Sequence, residues 1–163
     1  MQEEEKMLAW HETLELHELI AFQSNVLFKL KQTYQKIAAP EIKALYRKSI
    51  DTIEENLQEL LPFFANVPAA RDEQEREETF TGFYAGDLLG AAKAAVRNYA
   101  AAITETATPE LRAVLTRHIL GTVRWHEEIY NFMHKRGYYP AYNLNQMLAN
   151  DVKNAQTVLK IKY

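Results

Sequence analysis

Proline occurs only five times in 163 residues, at 40, 62, 68, 109 and 140, and between these points the apolar residues recur every three or four positions. A proline inside a helix removes a backbone donor and clashes with the preceding turn. The five positions therefore mark where helices begin and end. Segment one runs from about Glu4 to Lys36, with Leu14, Leu16, Ile20, Leu27, Leu30 and Tyr34 at helical spacing. Segment two, about 40–66, opens on Pro40 and carries Ile42, Leu45, Tyr46, Ile53, Leu57, Leu60 and Phe64, with Pro62 expected to end or kink it near Leu61. Segment three, about 83–106, has Leu89, Ala92, Val96, Tyr99 and Ile103 as its stripe. Segment four, about 109–136, starts at Thr108-Pro109-Glu110, a capping hydroxyl followed by proline and an acid, and stops at Gly137. A shorter fifth segment, about 144–159, carries Leu144, Leu148, Val152, Ala155 and Leu159.

The pattern predicts an all-α chain: one helical-bundle domain over residues 1–163, made of two hairpins and a short C-terminal fifth helix. Residues 67–82, which include the charged run Arg71–Glu78, break the periodicity and read as a solvated crossover. Sixteen residues can span about 50 Å at ~3.3 Å per residue. The second helix needs about 40 Å at ~1.5 Å per residue. The crossover is therefore long enough to return along the whole bundle, which is the connectivity of ferritin-like four-helix folds. Simple up-down-up-down topology stays open. Gly82, Gly86, Gly90 and Ala94 recur every four residues, a line of small side chains that predicts close approach by another helix.

Composition closes off several classes of function. The formal charge is −3 and no strong basic cluster occurs, which argues against nucleic-acid binding. The chain has no cysteine, so disulfide frameworks, thiolate zinc sites and cysteine nucleophiles are excluded. The opening residues MQEEEK are acidic, unlike a secretory leader, and no apolar run reaches the ~18 residues of a membrane span. Synthesis and retention in the cytosol are expected, or assembly into a structure built from it. No glycine-rich phosphate loop and no serine–histidine motif appears.

Polar residues on apolar faces are the candidate site. His11, Glu18 and Asn25 recur every seven residues in segment one. Glu54 lies among Ile50, Leu57 and Leu61 in segment two, and Lys93 among Leu89, Ala92 and Val96 in segment three. His118, Thr122 and His126 follow one another on one side of segment four. Inward Glu and His from four helices is how di-iron and di-manganese bundles are built, but that centre needs a Glu-x-x-His on each of two helices. The sequence has none: Glu15-Leu16-His17-Glu18 has the wrong spacing, and His126-Glu127-Glu128 sends its acids to other faces. If a metal were held, Glu18, Glu54, His118 and His126 would hold it, with the Lys93 cation nearby. The favoured reading is a paired polar core seam of Glu18, Asn25, Asp87, Lys93, His118 and His126 that fixes helix register, with no cofactor, metal or catalytic residue. Tyr46 and Tyr99 read as core anchors with a wet hydroxyl, and Gly137–Asn143, with three tyrosines around a proline, as a docking surface or the clasp of the last helix.

From the third segment onward the chain resembles the spore coat F-like family of endospore-forming bacteria. The resemblance is carried by Asp87, Lys93 and Tyr99, by Glu105 within Thr104–Glu110, and by His126. Met133 ahead of Lys135-Arg136-Gly137-Tyr138-Tyr139, and the tail Asp151-Val152-Lys153-Asn154-Ala155, complete it. Tyr138 stands where many members carry Trp. The resemblance covers roughly the C-terminal half; the first two helices match only as a helical pair. It implies a ferritin-like bundle associated with sporulation, structural in role and without established catalytic residues. The expected function is that of a non-enzymatic structural or assembly protein, made in the cytoplasm and then placed in the spore coat. Its partners would be other coat proteins or a second copy, most simply as a symmetric homodimer docked through the C-terminal stripe. The alternative is a metal-binding, oxidase-like bundle with a non-standard Glu/His site; a third reading is a cytosolic helical adaptor.

Overall fold

The computed structural model describes residues 8–65 and 76–163, with side chains from residue 80 onward in the second stretch. All its regular elements are helical: α1 Trp10–Tyr34, α2 Pro40–Leu60, a 3-10 turn Leu61–Phe64, α3 Arg76–Glu105, α4 Pro109–Lys135 and α5 Leu144–Lys160. They form two compact units. One takes residues up to 75 together with Pro140–Tyr163; the other takes Arg76–Tyr139.

Local chemistry sets the helix ends. The Ala9 amide donates to the Glu12 carboxylate at 2.8 Å, which ties the first turn of α1. Pro40 and Pro109 each occupy the first turn of a helix, where a missing donor costs nothing. Thr108 stands at the cap of α4, but its hydroxyl makes no capping bond; the guanidinium of Arg112 instead reaches back to the Thr106 carbonyl. Asn143 does cap α5, its side chain accepting from the Gln146 amide at 3.0 Å. Pro62 converts the end of α2 into the 3-10 turn. α3 begins at Arg76, so residues 76–82 of the expected crossover are helical, and the preceding part of that crossover lies outside the described residues.

In the first unit α1 and α2 pack together, and α5 packs on α1 and on the 3-10 turn. Its core is Leu16, Ile20, Leu27 and Phe28 from α1, Ile50 and Leu57 from α2, Phe64, and Met147, Leu148, Ala149, Ala155 and Val158 from α5. Of the apolar stripe on α5, Leu148 and Ala155 are buried in its own unit, while Leu144, Val152 and Leu159 are half-buried.

The second unit is the α3–α4 hairpin. Ala85, Ala92, Ile129 and Met133 form its buried cluster, with Leu89, Tyr138 and Tyr139 packed against it. The chain leaves α4 through Gly137 at φ 73°, while the Tyr138 amide bonds the Met133 carbonyl at 3.0 Å and the Gly137 amide bonds that of His134 at 3.1 Å. This reversal drops the Tyr138 ring onto Gly82, where an added Cβ would lie 3.4 Å from it. The small-residue line thus receives an aromatic ring at Gly82, and an added Cβ at Gly90 would meet nothing within 4 Å.

Two glycine substitutions should move stability in opposite directions. Gly137→Ala forces a Cβ into the left-handed region and is expected to cost about 1–2 kcal/mol. Gly90→Ala, in an α-helix with open space, should gain up to about 1 kcal/mol. Urea denaturation of the two variants checks both signs, and a loss at Gly90 would mean that the position is closely covered.

Candidate functional site

Of the four buried polar side chains among the described residues, three lie on one line of α1 and the fourth, Asp151, on α5. His17, Ser24 and Lys31 are spaced by seven residues and are all buried, among Leu16, Ile20, Leu27 and Phe28. This line is displaced by one residue, about 100° around the helix, from His11, Glu18 and Asn25. Here Glu18 is exposed, and Asn25 is half-buried with its side-chain amide donating to the Ala21 carbonyl at 2.9 Å.

His17 and Lys31 both reach α5. His17 Nδ1 donates to Asp151 Oδ2 at 2.6 Å, with both side chains over nine-tenths buried. Burial pushes the Asp151 carboxyl above its usual range; the hydrogen bond and charge of His17 pull the other way, and the charge of Glu18 adds to the rise. Lys31, two turns past Ser24, donates to the carbonyls of Val158 at 2.9 Å, Leu159 at 3.2 Å and Ile161 at 3.0 Å. Its fourth neighbour is Glu54 Oε1 from α2 at 2.6 Å. The last carbonyls of a helix lack intrahelical partners and carry the negative end of its dipole. A single ammonium therefore satisfies the end of α5 and joins it to both α1 and α2. The Tyr163 ring closes over this group, 5.1 Å from Lys31 Nζ and 5.2 Å from the Arg47 guanidinium, and stands edge-on to Tyr34. Burial and the Glu54 charge push its phenol up, while Arg47 opposes. Ser24 Oγ and Asn25 Oδ1 are buried without a hydrogen-bond partner in the described residues.

In the hairpin, Asp87, Lys93 and His126 are half-buried and His118 is exposed. The Tyr99 hydroxyl lies 3.4 Å from His118 Nδ1 with the rings edge to face, so Tyr99 is an anchor for an imidazole. At the other end, an aromatic group surrounds the α4 terminus. Tyr130 stacks on His134 at 5.7 Å and meets the edge of Tyr139 at 5.8 Å. His134 Nδ1 bonds the Tyr139 carbonyl at 3.1 Å, and Arg136 lies over Phe132 at 4.2 Å. Among the four residues named for a metal, Glu54 is taken up by Lys31. Among the described residues no three His, Asp or Glu side chains converge in a way that could hold a metal ion, and no helix is long and apolar enough to cross a membrane.

The family match falls on the hairpin and its connector. Residues 82–142 match the family described as the Coat F domain. The spore coat protein F-like protein YraD of Bacillus subtilis (strain 168) is 39% identical over 75 residues, which is 46% of this chain and 76% of that relative. No solved structure matches the chain.

The polar groups on α1 should respond unequally to replacement. Lys31→Met leaves three carbonyls uncapped and Glu54 without its cation, and is expected to cost about 3 kcal/mol. Ser24→Ala removes an unpaired hydroxyl and should be neutral or slightly stabilising. Thermal and urea unfolding monitored by circular dichroism measure both; equal losses would mean that the Lys31 cap contributes no more than ordinary packing.

Proposed function

The chain belongs to the spore coat protein F-like family, and from that membership we propose that it is a structural, non-catalytic protein of the bacterial spore coat, made in the cytosol of the sporulating cell and then assembled into the coat. The observation that carries this reading is the 39% identity to the Bacillus subtilis coat F-like protein across three-quarters of that relative's length. The match to the Coat F domain lies over α3, α4 and the aromatic connector and takes in Asp87, Lys93, Tyr99, Glu105, His126 and Met133, while the tail Asp151–Ala155 lies beyond it.

The finer architecture proposed is a single ferritin-like four-helix bundle of α1 to α4, with α5 as the short fifth helix. Its support is the apolar surface that each unit leaves uncovered. Leu19, Phe22, Ile42 and Leu45 on α1 and α2, and Leu88, Leu120 and Val123 on α3 and α4, are all exposed. A hairpin of helices buries only one face of each helix, and large apolar patches on a soluble protein call for a partner surface. In such a bundle Glu18, Asn25, Asp87, Lys93, His118 and His126 would form the paired polar seam. Docking to other coat proteins, or to a second copy as a homodimer, would use the C-terminal segment, where Leu144, Val152 and Leu159 are half-buried, and its connector, where Tyr142 is exposed. The oxidase-like alternative gains nothing from Glu54, whose carboxylate would have to exchange the Lys31 ammonium for a metal ion.

Three measurements test this reading. A fluorescent fusion followed through sporulation should collect in the coat layer; diffuse fluorescence excluded from spores would overturn the assignment. Spin labels at Glu18→Cys and His118→Cys should report a short distance, because a ferritin-like crossover sets those residues in one layer, and a separation near a full helix length of about 40 Å would reject it. Elemental analysis of the purified protein should find no stoichiometric iron or manganese. About two transition metals per chain, lost in His126→Ala, would favour the oxidase-like reading.

A further inference from the structure

The last turn of α5 and the residues after it leave a shallow groove of about 430 Å³ beside α1 and α2, whose walls include Lys31, Arg47, Glu54, Lys160, Lys162 and Tyr163. The buried Lys31 ammonium is taken up there by Glu54 and by the helix end. Arg47, Lys160 and Lys162 are exposed. Arg47 makes a solvent-exposed contact with Asp51 at 3.2 Å, and the ammoniums of Lys160 and Lys162 have no hydrogen-bond or ion-pair partner among the described residues. The side chains of the groove thus bring four cations against one carboxylate, in a chain whose net charge is −3. Residues 31, 47, 160 and 162 are far apart in the sequence, so the fold makes a basic surface that no run of residues shows. We propose that this groove docks the acidic segment Glu3-Glu4-Glu5 of a second copy, so that copies associate head to tail.

Reach and charge select this occupant. Trp10 begins α1 and Lys31 lies near its other end, about 32 Å further at ~1.5 Å per residue. An extended chain covers at most about 24 Å from Trp10 back to Glu3. The acidic segment therefore cannot fold back into the groove of its own copy, but it can enter that of another. Three consecutive carboxylates, followed by the single cation Lys6, suit two ammoniums without partners and the Arg47 guanidinium. That guanidinium can take a carboxylate through both arms of its fork, in exchange for an exposed contact of little worth with Asp51. The other acidic run, Asp72–Glu78, is broken by Arg76 and leads directly into α3. The two surfaces of the contact are different, so each docked copy still offers one groove and one acidic segment. Such a heterologous contact extends into an open chain of copies, where a symmetric dimer would close on itself. Exposed charge pairs are individually weak and screened by salt, so the contact is weak alone and gains strength by repetition in an assembly. It needs no other coat component, so its failure in purified protein would leave the coat assignment standing.

The test is sedimentation velocity of the full chain over a range of protein concentrations, at about 20 mM and about 300 mM salt. At low salt the mean mass should rise past that of a dimer without a plateau, and the association constant should fall roughly tenfold or more at the higher salt. Two charge-reversed variants separate the surfaces: Glu3→Lys/Glu4→Lys/Glu5→Lys, with a basic segment facing a basic groove, and Lys160→Glu/Lys162→Glu, with an acidic segment facing an acidic groove. All five positions are outside the helical cores, and circular dichroism should show both variants folded. Each alone should stay monomeric at low salt, and an equimolar mixture should associate again, because each segment then meets a groove of opposite charge. A parent that is monomeric throughout, a dimer of fixed mass that salt does not weaken, association that survives in either variant, or a mixture that stays monomeric overturns the head-to-tail contact. So does association that is lost on neutralising Asp72, Glu73 and Glu75 but kept on reversing Glu3, Glu4 and Glu5, which would give the groove to the internal acidic run.

Discussion

An ammonium buried in a protein interior has to be surrounded by oxygen, and Lys31 decides where four of those oxygens lie. Three belong to the last turn of α5 and the residue after it, and one belongs to α2. The position of α5 along α1, and of α2 beside both, is fixed by one side chain whose displacement would strand a charge. Hydrophobic burial alone would hold α5 on α1 in several registers, because Leu148, Ala155 and Val158 could each slide by a turn. The Lys31 cap and the His17–Asp151 pair at the other end admit only one. They also set direction: residue 17 meets 151 and residue 31 meets 158–161, so α5 runs parallel to α1.

The helices themselves were legible in the sequence because prolines and caps act locally. Pro40, Pro109 and Gly137 fall where the described helices begin or end, and the five helices are centred where the apolar spacing places them. The start of α3 was not legible. Residues 76–82 have too many charges to show an apolar stripe, yet Arg76-Glu77-Glu78 has good helix propensity and no breaker.

The polar line on α1 shows the limit of periodicity more sharply. His11-Glu18-Asn25 and His17-Ser24-Lys31 have the same seven-residue spacing, and both are interleaved with apolar residues. A lysine reads as solvent-facing by default, so the line ending in Lys31 does not stand out in the sequence. What distinguishes it is a partner more than 120 positions away: the bare carbonyl end of α5. One clue was available, since Asp151 is an acid within the apolar stripe of a short helix and called for a cation. In the hairpin, Lys93, His118 and His126 are visible as polar residues on apolar faces, and the family pattern adds Asp87.

The first unit is discontinuous in the chain: α1, α2 and the 3-10 turn come before α3 and α4, and α5 comes after them. During synthesis the residues that match the Coat F domain are made between the two parts. From Ala65 to Lys160 is roughly 95 residues, or about 5–20 s of translation. Throughout that interval the α5 groups that His17 and Lys31 bond have not yet been made, although Glu54, the α2 partner of Lys31, has. Two polar groups without their α5 partners are a liability in a core that closes early, and water has to satisfy them until the helix carrying Asp151 and the last carbonyls has been made. The side chains that select the register of the finished unit thus find their partners only in the segment of the chain that is translated last among its elements.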